Sequence, residues 1–375
     1  MSNTPQIRFA GFTDAWEQRK LIEIVKSIDT GKSKFQSDSD NGKFAILGST
    51  SIIGYDDSYD YDGDFILTAR VGANAGSLYR YTGKAKISDN TVFIQTEKNI
   101  EFVYYMLTKF DIKQLSFGTG QPLVKASELK NLDLKMPSQI EEQQKIGSFF
   151  SQLDTLITLH QRKCDALQKF KKSMLQKMFP QNGESVPEIR FAGFTDAWEQ
   201  RKVGDVLSES RDAGHSGDIA KKLTVKLWGK GVYAKNDKGS AATQYFTRHA
   251  GQFIYSKLDF LNSAFGVVPQ ELESYESTAD LPAFDCIAVE PYFMFYRAIQ
   301  PSFYLTNGMI ADGSRKAKRI HVETFLDMPL DLPSIEEQKK VASYFTQLDS
   351  LITLHQRKLE TLQKMKKSLL QKMFV

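Results

Sequence analysis

Cysteine is nearly absent: Cys164 and Cys286 are the only two in 375 residues, far apart and outside any Cys-x-x-Cys spacing. That excludes a disulfide framework or a zinc ribbon and fits a reducing compartment. No stretch approaches the run of ~20 apolar residues a membrane helix needs. Met1 to Pro5 opens no apolar core of signal-peptide length. The expectation is a soluble, cytoplasmic protein. Charge of one sign is also scarce, because a net +4 is too small by itself to argue nucleic-acid binding. The five histidines, His160, His215, His249, His321 and His355, stand in no metal-type spacing.

Catalytic motifs are missing as well. A methyltransferase acting on DNA bases needs an Asn/Asp-Pro-Pro-aromatic element and a Gly-rich cofactor turn after a strand. Glu290-Pro291-Tyr292-Phe293 comes nearest to the former and lacks the second proline and the amide. Asp29-Thr30-Gly31-Lys32-Ser33 ends like a phosphate loop without its first glycine. Asp331 with Glu337-Gln338-Lys339 could be read as a nuclease triplet. Its counterpart Glu142-Gln143-Gln144 lacks the lysine, and both open a helix, where acidic residues complement the dipole.

What is there is written twice. Pro5 to Lys20 (PQIRFAGFTDAWEQRK) recurs at Pro187 to Lys202 with one difference, and Ile140 to Phe179 matches Ile335 to Phe374 at 29 of 40 positions. Between these frames, residues 21–135 and 203–331 share no run that aligns by eye. A duplicated enzyme would repeat its active site, whereas a duplicated reader need only repeat its scaffold. The division expected is 1–135, arm and first variable domain; 136–180, first helix; 181–331, linker, arm and second variable domain; 332–375, second helix.

Both repeated segments carry a sustained heptad. Ile146, Phe150, Leu153, Ile157, His160, Cys164, Leu167, Lys171, Met174 and Met178 alternate steps of four and three. Val341, Phe345, Leu348, Ile352, His355, Leu359, Leu362, Lys366, Leu369 and Met373 do the same. A 3.5-residue period is a coiled-coil signature, and about 39 residues make a helix ~58 Å long. The matching arms favour an antiparallel, pseudo-twofold pair. The histidines at heptad core positions are register-setting polar residues.

The variable domains are read as mixed α/β. Strands are expected at Phe44–Leu47, Phe65–Ala69, Thr91–Gln95, Gln252–Ser256, Ala264–Val268 and Cys286–Val289. Ile100–Phe110 is read as a helix, and Pro291–Ile299 as helical or extended. In the first domain 14 Lys and Arg stand against 15 acids. Its cluster Asp56, Asp57, Asp60, Asp62 and Asp64 is expected to face away from phosphate. Base-edge candidates are the polar loop residues Lys32, Ser33, Arg70, Asn74, Asn90, Thr119, Gln121 and Lys125. In the second domain they are Lys257 and the run Arg315, Lys316, Lys318 and Arg319. Arg and Lys suit guanine, Asn and Gln adenine, and carboxylates cytosine. The basic run suits phosphates better than bases. Lysines crowd each helix end, as solvated flanks or as a face for a partner.

These elements in this order resemble the specificity subunits of type I restriction-modification systems. The resemblance rests on the arms Ile7-Arg-Phe-Ala-Gly-Phe…Trp16-Glu and Ile189-Arg-Phe-Ala-Gly-Phe…Trp198-Glu. It rests also on Gly63–Gly72, Ser88-Asp-Asn90, Gly118–Pro122, Gly251–Lys257 and Ala264–Val268, and on the Glu-Glu-Gln…Leu-Leu-Gln-Lys-Met-Phe helices. It covers nearly the whole chain. It implies two α/β target recognition domains joined by a pair of long antiparallel coiled-coil helices, each domain reading one half of a split DNA target. It further implies two docked modification subunits holding S-adenosylmethionine, and restriction subunits using ATP and magnesium. The chain itself would then be no enzyme. Specific contacts do not carry over, because the variable domains differ between members. Two rivals remain: a specificity module of a differently organised methyltransferase, and a coiled-coil scaffold joining two protein-binding domains.

Overall fold

The computed structural model describes residues 4–34, 41–115, 122–181, 183–309 and 319–375. The chain divides into two compact units, residues 1–162 with 356–375, and residues 163–355.

In unit 1 the arm leads into β1 (Glu17–Lys20), α1 (Leu21–Ile24) and β2 (Ser27–Thr30). Strands β3 (Phe44–Leu47), β4 (Ile52–Asp56), β5 (Tyr61–Ala69), β6 (Leu78–Ile87) and β7 (Thr91–Thr96) follow. They form a six-stranded sheet in the order β2-β7-β5-β6-β3-β4. A bridge from Ser33 to Ser88 returns the chain after β2 to the end of β6. The curled sheet thus wraps Ala45, Leu47, Phe65, Leu67, Ala85, Ile87 and Phe93 into a small core. Helices α2 (Ile100–Phe110) and α3 (Ala126–Lys130) precede β8 (Asp133–Met136), which pairs with β1. Then begins α4 (Ile140–Lys177).

Unit 2 repeats the plan with different contents. Strand β9 (Glu199–Lys202) leads to β10 (Leu207–Ser210), β11 (Ala213–Ser216), β12 (Lys222–Val225), β13 (Val232–Lys235), β14 (Gln244–Thr247) and β15 (Phe253–Tyr255). Next come β16 (Phe265–Val267), β17 (Glu276–Ser277) and β18 (Ala283–Cys286). They make two sheets, β10-β18-β15-β16 and β11-β14-β17-β12-β13. Helices α5 (Pro291–Ala298), α6 (Pro301–Gly308) and α7 (Val322–Leu326), then β19 (Pro329–Leu332) on β9, lead into α8 (Ile335–Met373).

Most of the expected elements stand within a residue or a few of their places. The strand expected at Cys286–Val289 is displaced, since β18 ends at Cys286. The Ile287 amide turns instead to the Val206 carbonyl, and the Glu290 carboxylate accepts from the Phe293 amide to cap α5, with Pro291 at its first position.

Each unit holds half of each long helix, and within each the two run antiparallel. In unit 1 Lys366 donates to Asp154 at 2.5 Å, and Phe150 meets Phe374. In unit 2 Lys171 donates to Asp349 at 2.5 Å, and Phe345 stacks on Phe179. Neighbours outside the heptad seam complete the burial. Phe150 also packs on Tyr105 of α2, and Phe345 on Tyr296 of α5. The outer parts of the long helices are therefore core helices of the α/β units. Nearer their middles Leu156, Leu159, Leu351 and Leu354 are 44–47% exposed.

The repeated arms tie down the helix starts. Arg8 grips Glu142 with two bonds of 2.7 and 2.8 Å, and Arg190 grips Glu337 with two of 2.7 Å. Both carboxylates are buried. The acidic opening triplets are thus arm-docking groups beyond their fit to the helix dipole. The Gln143 and Gln338 amides donate to the Pro137 and Pro333 carbonyls at the turn into each helix. Asp331, the third member of the rejected nuclease triplet, pairs with Arg297 of α5.

Candidate nucleic-acid interface

Strand β5 ends at Ala69 and passes into a loop, residues 70–77, that turns at Gly72 and Gly76, with φ of +90° and +83°. A Cβ on Gly76 would lie 2.7 Å from the Lys113 amide nitrogen, so glycine is required there. Main-chain bonds lace this loop to others. Arg70 donates to the Asn90 carbonyl at 3.0 Å, Val124 to that of Arg70 at 2.8 Å, and Gly72 to that of Pro122 at 3.1 Å. The Asp89 amide donates to Ser33 at 3.1 Å, and the Ser49 hydroxyl to Asn90 at 3.0 Å. Lys32, Ser33, Arg70, Asn74, Asn90 and Lys125, scattered in sequence, are thereby gathered on neighbouring loops at one end of the sheet. All but Ser33 are exposed. Thr119 and Gln121 lie outside the described residues.

The acidic cluster does not all face away. Asp60 accepts from the Ser33 hydroxyl at 3.0 Å, which brings a carboxylate to the edge of these loops. Asp56 is held by Lys86 at 2.8 Å and by Ser58, which together pull its carboxyl down to about 2. Asp64 accepts from Thr82. An acceptor such as Asp60 suits a cytosine amine and repels phosphate.

Unit 2 has the same lacing. The Lys257 amide donates to the Asp280 carbonyl at 2.9 Å, and the Ile320 amide to that of Lys257 at 3.0 Å. Lys257 thus holds the position of Arg70, Asp280 that of Asn90, and Ile320 that of Val124. Arg319 lies 3.7 Å from Asp280. Arg315, Lys316 and Lys318 lie outside the described residues, just before Ile320 in sequence, as Thr119 and Gln121 stand just before Val124.

Asp280 was missed in the sequence. Its place beside Lys257 is set by an amide and a carbonyl, groups that every residue type carries. Arg248 was missed too. It is 1% exposed and donates to Ser277, Ser210 and Leu281, and burial draws its guanidinium down to about 10. It staples the two sheets of unit 2 and faces no solvent. His249 lies between Glu273 (2.7 Å) and Asp212 (3.0 Å) on the surface. No group of three His, Cys, Asp or Glu among the described residues is arranged to hold a metal.

The helix candidates fall in a gradient. Ile146, Phe150, Leu153, Val341, Phe345, Leu348 and Ile352 are buried, whereas Ile157, His160, Leu167, His355 and Leu362 are half-buried. No helix among the described residues is long and apolar enough to cross a membrane.

A family model described as the type I restriction modification DNA specificity domain matches residues 13–169 and again 195–364. The type I restriction enzyme MjaVIII specificity subunit of Methanocaldococcus jannaschii is 23% identical over 329 residues, 80% of this chain and 75% of the relative. The EcoprrI specificity subunit of Escherichia coli is 30% identical over 115 residues, 30% of this chain and 28% of that one. The crystal structure of the type I restriction-modification system S subunit from M. genitalium shares the fold. It aligns with a TM-score of 0.69 at 13% identity and covers 99% of both chains.

Proposed function

The chain belongs to the type I restriction modification DNA specificity family, and from that premise we propose that it reads duplex DNA for a multisubunit methyltransferase and endonuclease. Each unit reads one half of a bipartite, asymmetric target. The observation that carries this reading is a pair of identically laced loop ends bearing unlike side chains, Arg70 and Asn90 in one and Lys257 and Asp280 in the other. Main-chain bonds fix the loops, which leaves the side chains free to differ and to address different base edges.

The helices α4 and α8 dock two modification subunits and space the units. Those subunits hold S-adenosylmethionine, and restriction subunits bring ATP and magnesium. This chain contributes recognition and no catalytic group. The test is a gel-retardation experiment with the full chain assembled on type I modification subunits. Retardation with sequence preference, and no methyl transfer by the chain alone, is expected. Binding all duplexes alike, or none, overturns the reading.

A further inference from the structure

We propose that Trp228 is a DNA-contacting side chain of unit 2 that lays its indole against bases of the half-site, an inference resting on the DNA-reading role above. Of the three tryptophans, Trp16 and Trp198 are 2% and 4% exposed and pack edge-on against Phe374 and Phe179. Trp228 is 61% exposed. Their sequence surroundings separate them too, since Trp16 and Trp198 belong to the repeated arms and Trp228 to a variable domain.

Trp228 sits in the turn between β12 and β13, Lys226-Leu-Trp-Gly-Lys-Gly231. Its φ is +62°, in the left-handed region that bulky L residues rarely adopt. Three main-chain bonds enforce that conformation. The Lys226 amide closes the turn on Gly231 at 3.0 Å, while the Trp228 and Gly229 amides donate to Asn262 and Ser263, each at 2.8 Å. The strain is over-determined by the fold, and it displays a large apolar ring to solvent. Strain maintained in that way marks functional positions.

The anchor decides where the ring stands. Asn262 and Ser263 close the loop that begins at Lys257, the residue in the position of Arg70. Trp228 is therefore attached to the reading end of unit 2. Its surroundings are cationic: Lys226 lies 3.8 Å from the Tyr233 ring centre, and Lys230 follows two residues on. An exposed aromatic ring flanked by cations matches an apolar base edge, such as a thymine methyl, between phosphates better than an apolar protein surface.

The test uses the full chain assembled with type I modification subunits, and a duplex carrying the site that those complexes methylate. The emission of the native complex less that of the Trp228→Phe complex reports Trp228, whatever tryptophans the modification subunits carry, and Trp16 and Trp198 are buried. Target duplex is expected to quench that emission and shield it from acrylamide. Trp228→Ala should weaken target binding by about tenfold or more, with Trp228→Phe retaining most of it, and leave an unrelated duplex within about twofold. Trp228→Gly relieves the positive φ and should melt higher while binding the target as weakly as Trp228→Ala, which separates the binding loss from misfolding. Unchanged emission on binding, with Trp228→Ala binding the target as tightly as the native chain, overturns the proposal. If the native complex retards no DNA at all, it is the DNA-reading role that fails.

Discussion

Lys257 and Asp280 are joined amide to carbonyl over 2.9 Å, and the same bond of 3.0 Å joins Arg70 to Asn90 in the other unit. Two variable domains without a shared run of sequence thus hold their loops by a common main-chain device. The side chains at the paired positions differ in kind. Arginine and lysine are both donors, but only arginine offers a planar fork, and an asparagine amide in one unit stands where the other has a carboxylate.

Substitution at these positions should act on one half-site at a time. Arg70→Ala is expected to relax recognition at one base pair of the first half by ~1–3 kcal/mol and leave the second half unaltered. Asp280→Asn should do the converse. Binding measured against duplexes mutated base by base reads this directly, and relaxation in both halves from either change would refute it.

The basic run should behave differently. Replacing two of Arg315, Lys316, Lys318 and Arg319 with Ala is expected to weaken binding to all sequences. The slope of log affinity against log salt should flatten by ~0.9 per lost phosphate contact. An unchanged slope with discrimination lost at one base pair would assign the run to bases.

The arm clamps should matter for folding. Glu142 has no exposed surface and Arg8 little, so Arg8→Ala leaves a buried carboxylate unpaired. The expected cost is ~3–5 kcal/mol, read by calorimetry as a lowered transition in unit 1. Arg190→Ala should do the same through Glu337 in unit 2. A melting curve unchanged by either substitution would deny the clamps a structural role.

One pH effect follows from unit 2. Glu273 first, and then Asp212, raise the pKa of His249 above its ordinary value. A raised folded-state pKa adds stability that is present in full below the unfolded value of ~6.5. That increment is lost as the pH climbs through the raised value. The Ala250 amide and His249 hold Glu273 low, so its own contribution stands above its unfolded pKa and fades in acid. The melting temperature of unit 2 should therefore fall as the pH is raised past neutrality, by a modest amount because the groups are partly exposed. His249→Asn should flatten that limb, and an imidazole titrating below ~6.5 by NMR would contradict the assignment.

The frame was legible in the sequence because packing had preserved its letters. Arg8 and Arg190, Phe9 and Phe191, Trp16 and Trp198, Glu142 and Glu337, and Gln143 and Gln338 make matching contacts in the two units, and the heptad marks helices that the structure contains. Loop 70–77 was legible as a polar, Gly-rich break, and residues 88–90 as a polar one. The equivalence of Lys257 with Arg70 was not, because it rests on amide and carbonyl groups that every residue type carries. For the same reason Asp280 escaped notice and the Asp60–Ser33 bond was unforeseen. Cys286–Val289 has the composition of a strand, but it lies where the chain must leave the sheet to cap α5. Trp228 gave no periodic signal; the sequence showed only that it stands outside the repeated arms, and its positive φ and exposure set it apart.

If two unlike domains in matching frames specify independently, exchanging one of them changes one half of the target and no more. Residues between Lys20 and Met136 would be replaced by the variable domain of another family member. Genomic methylation profiling would then compare cells carrying each chain. The expected result is one new half-target joined to the other half unchanged. A chimaera that assembles and methylates but rewrites both halves would contradict it.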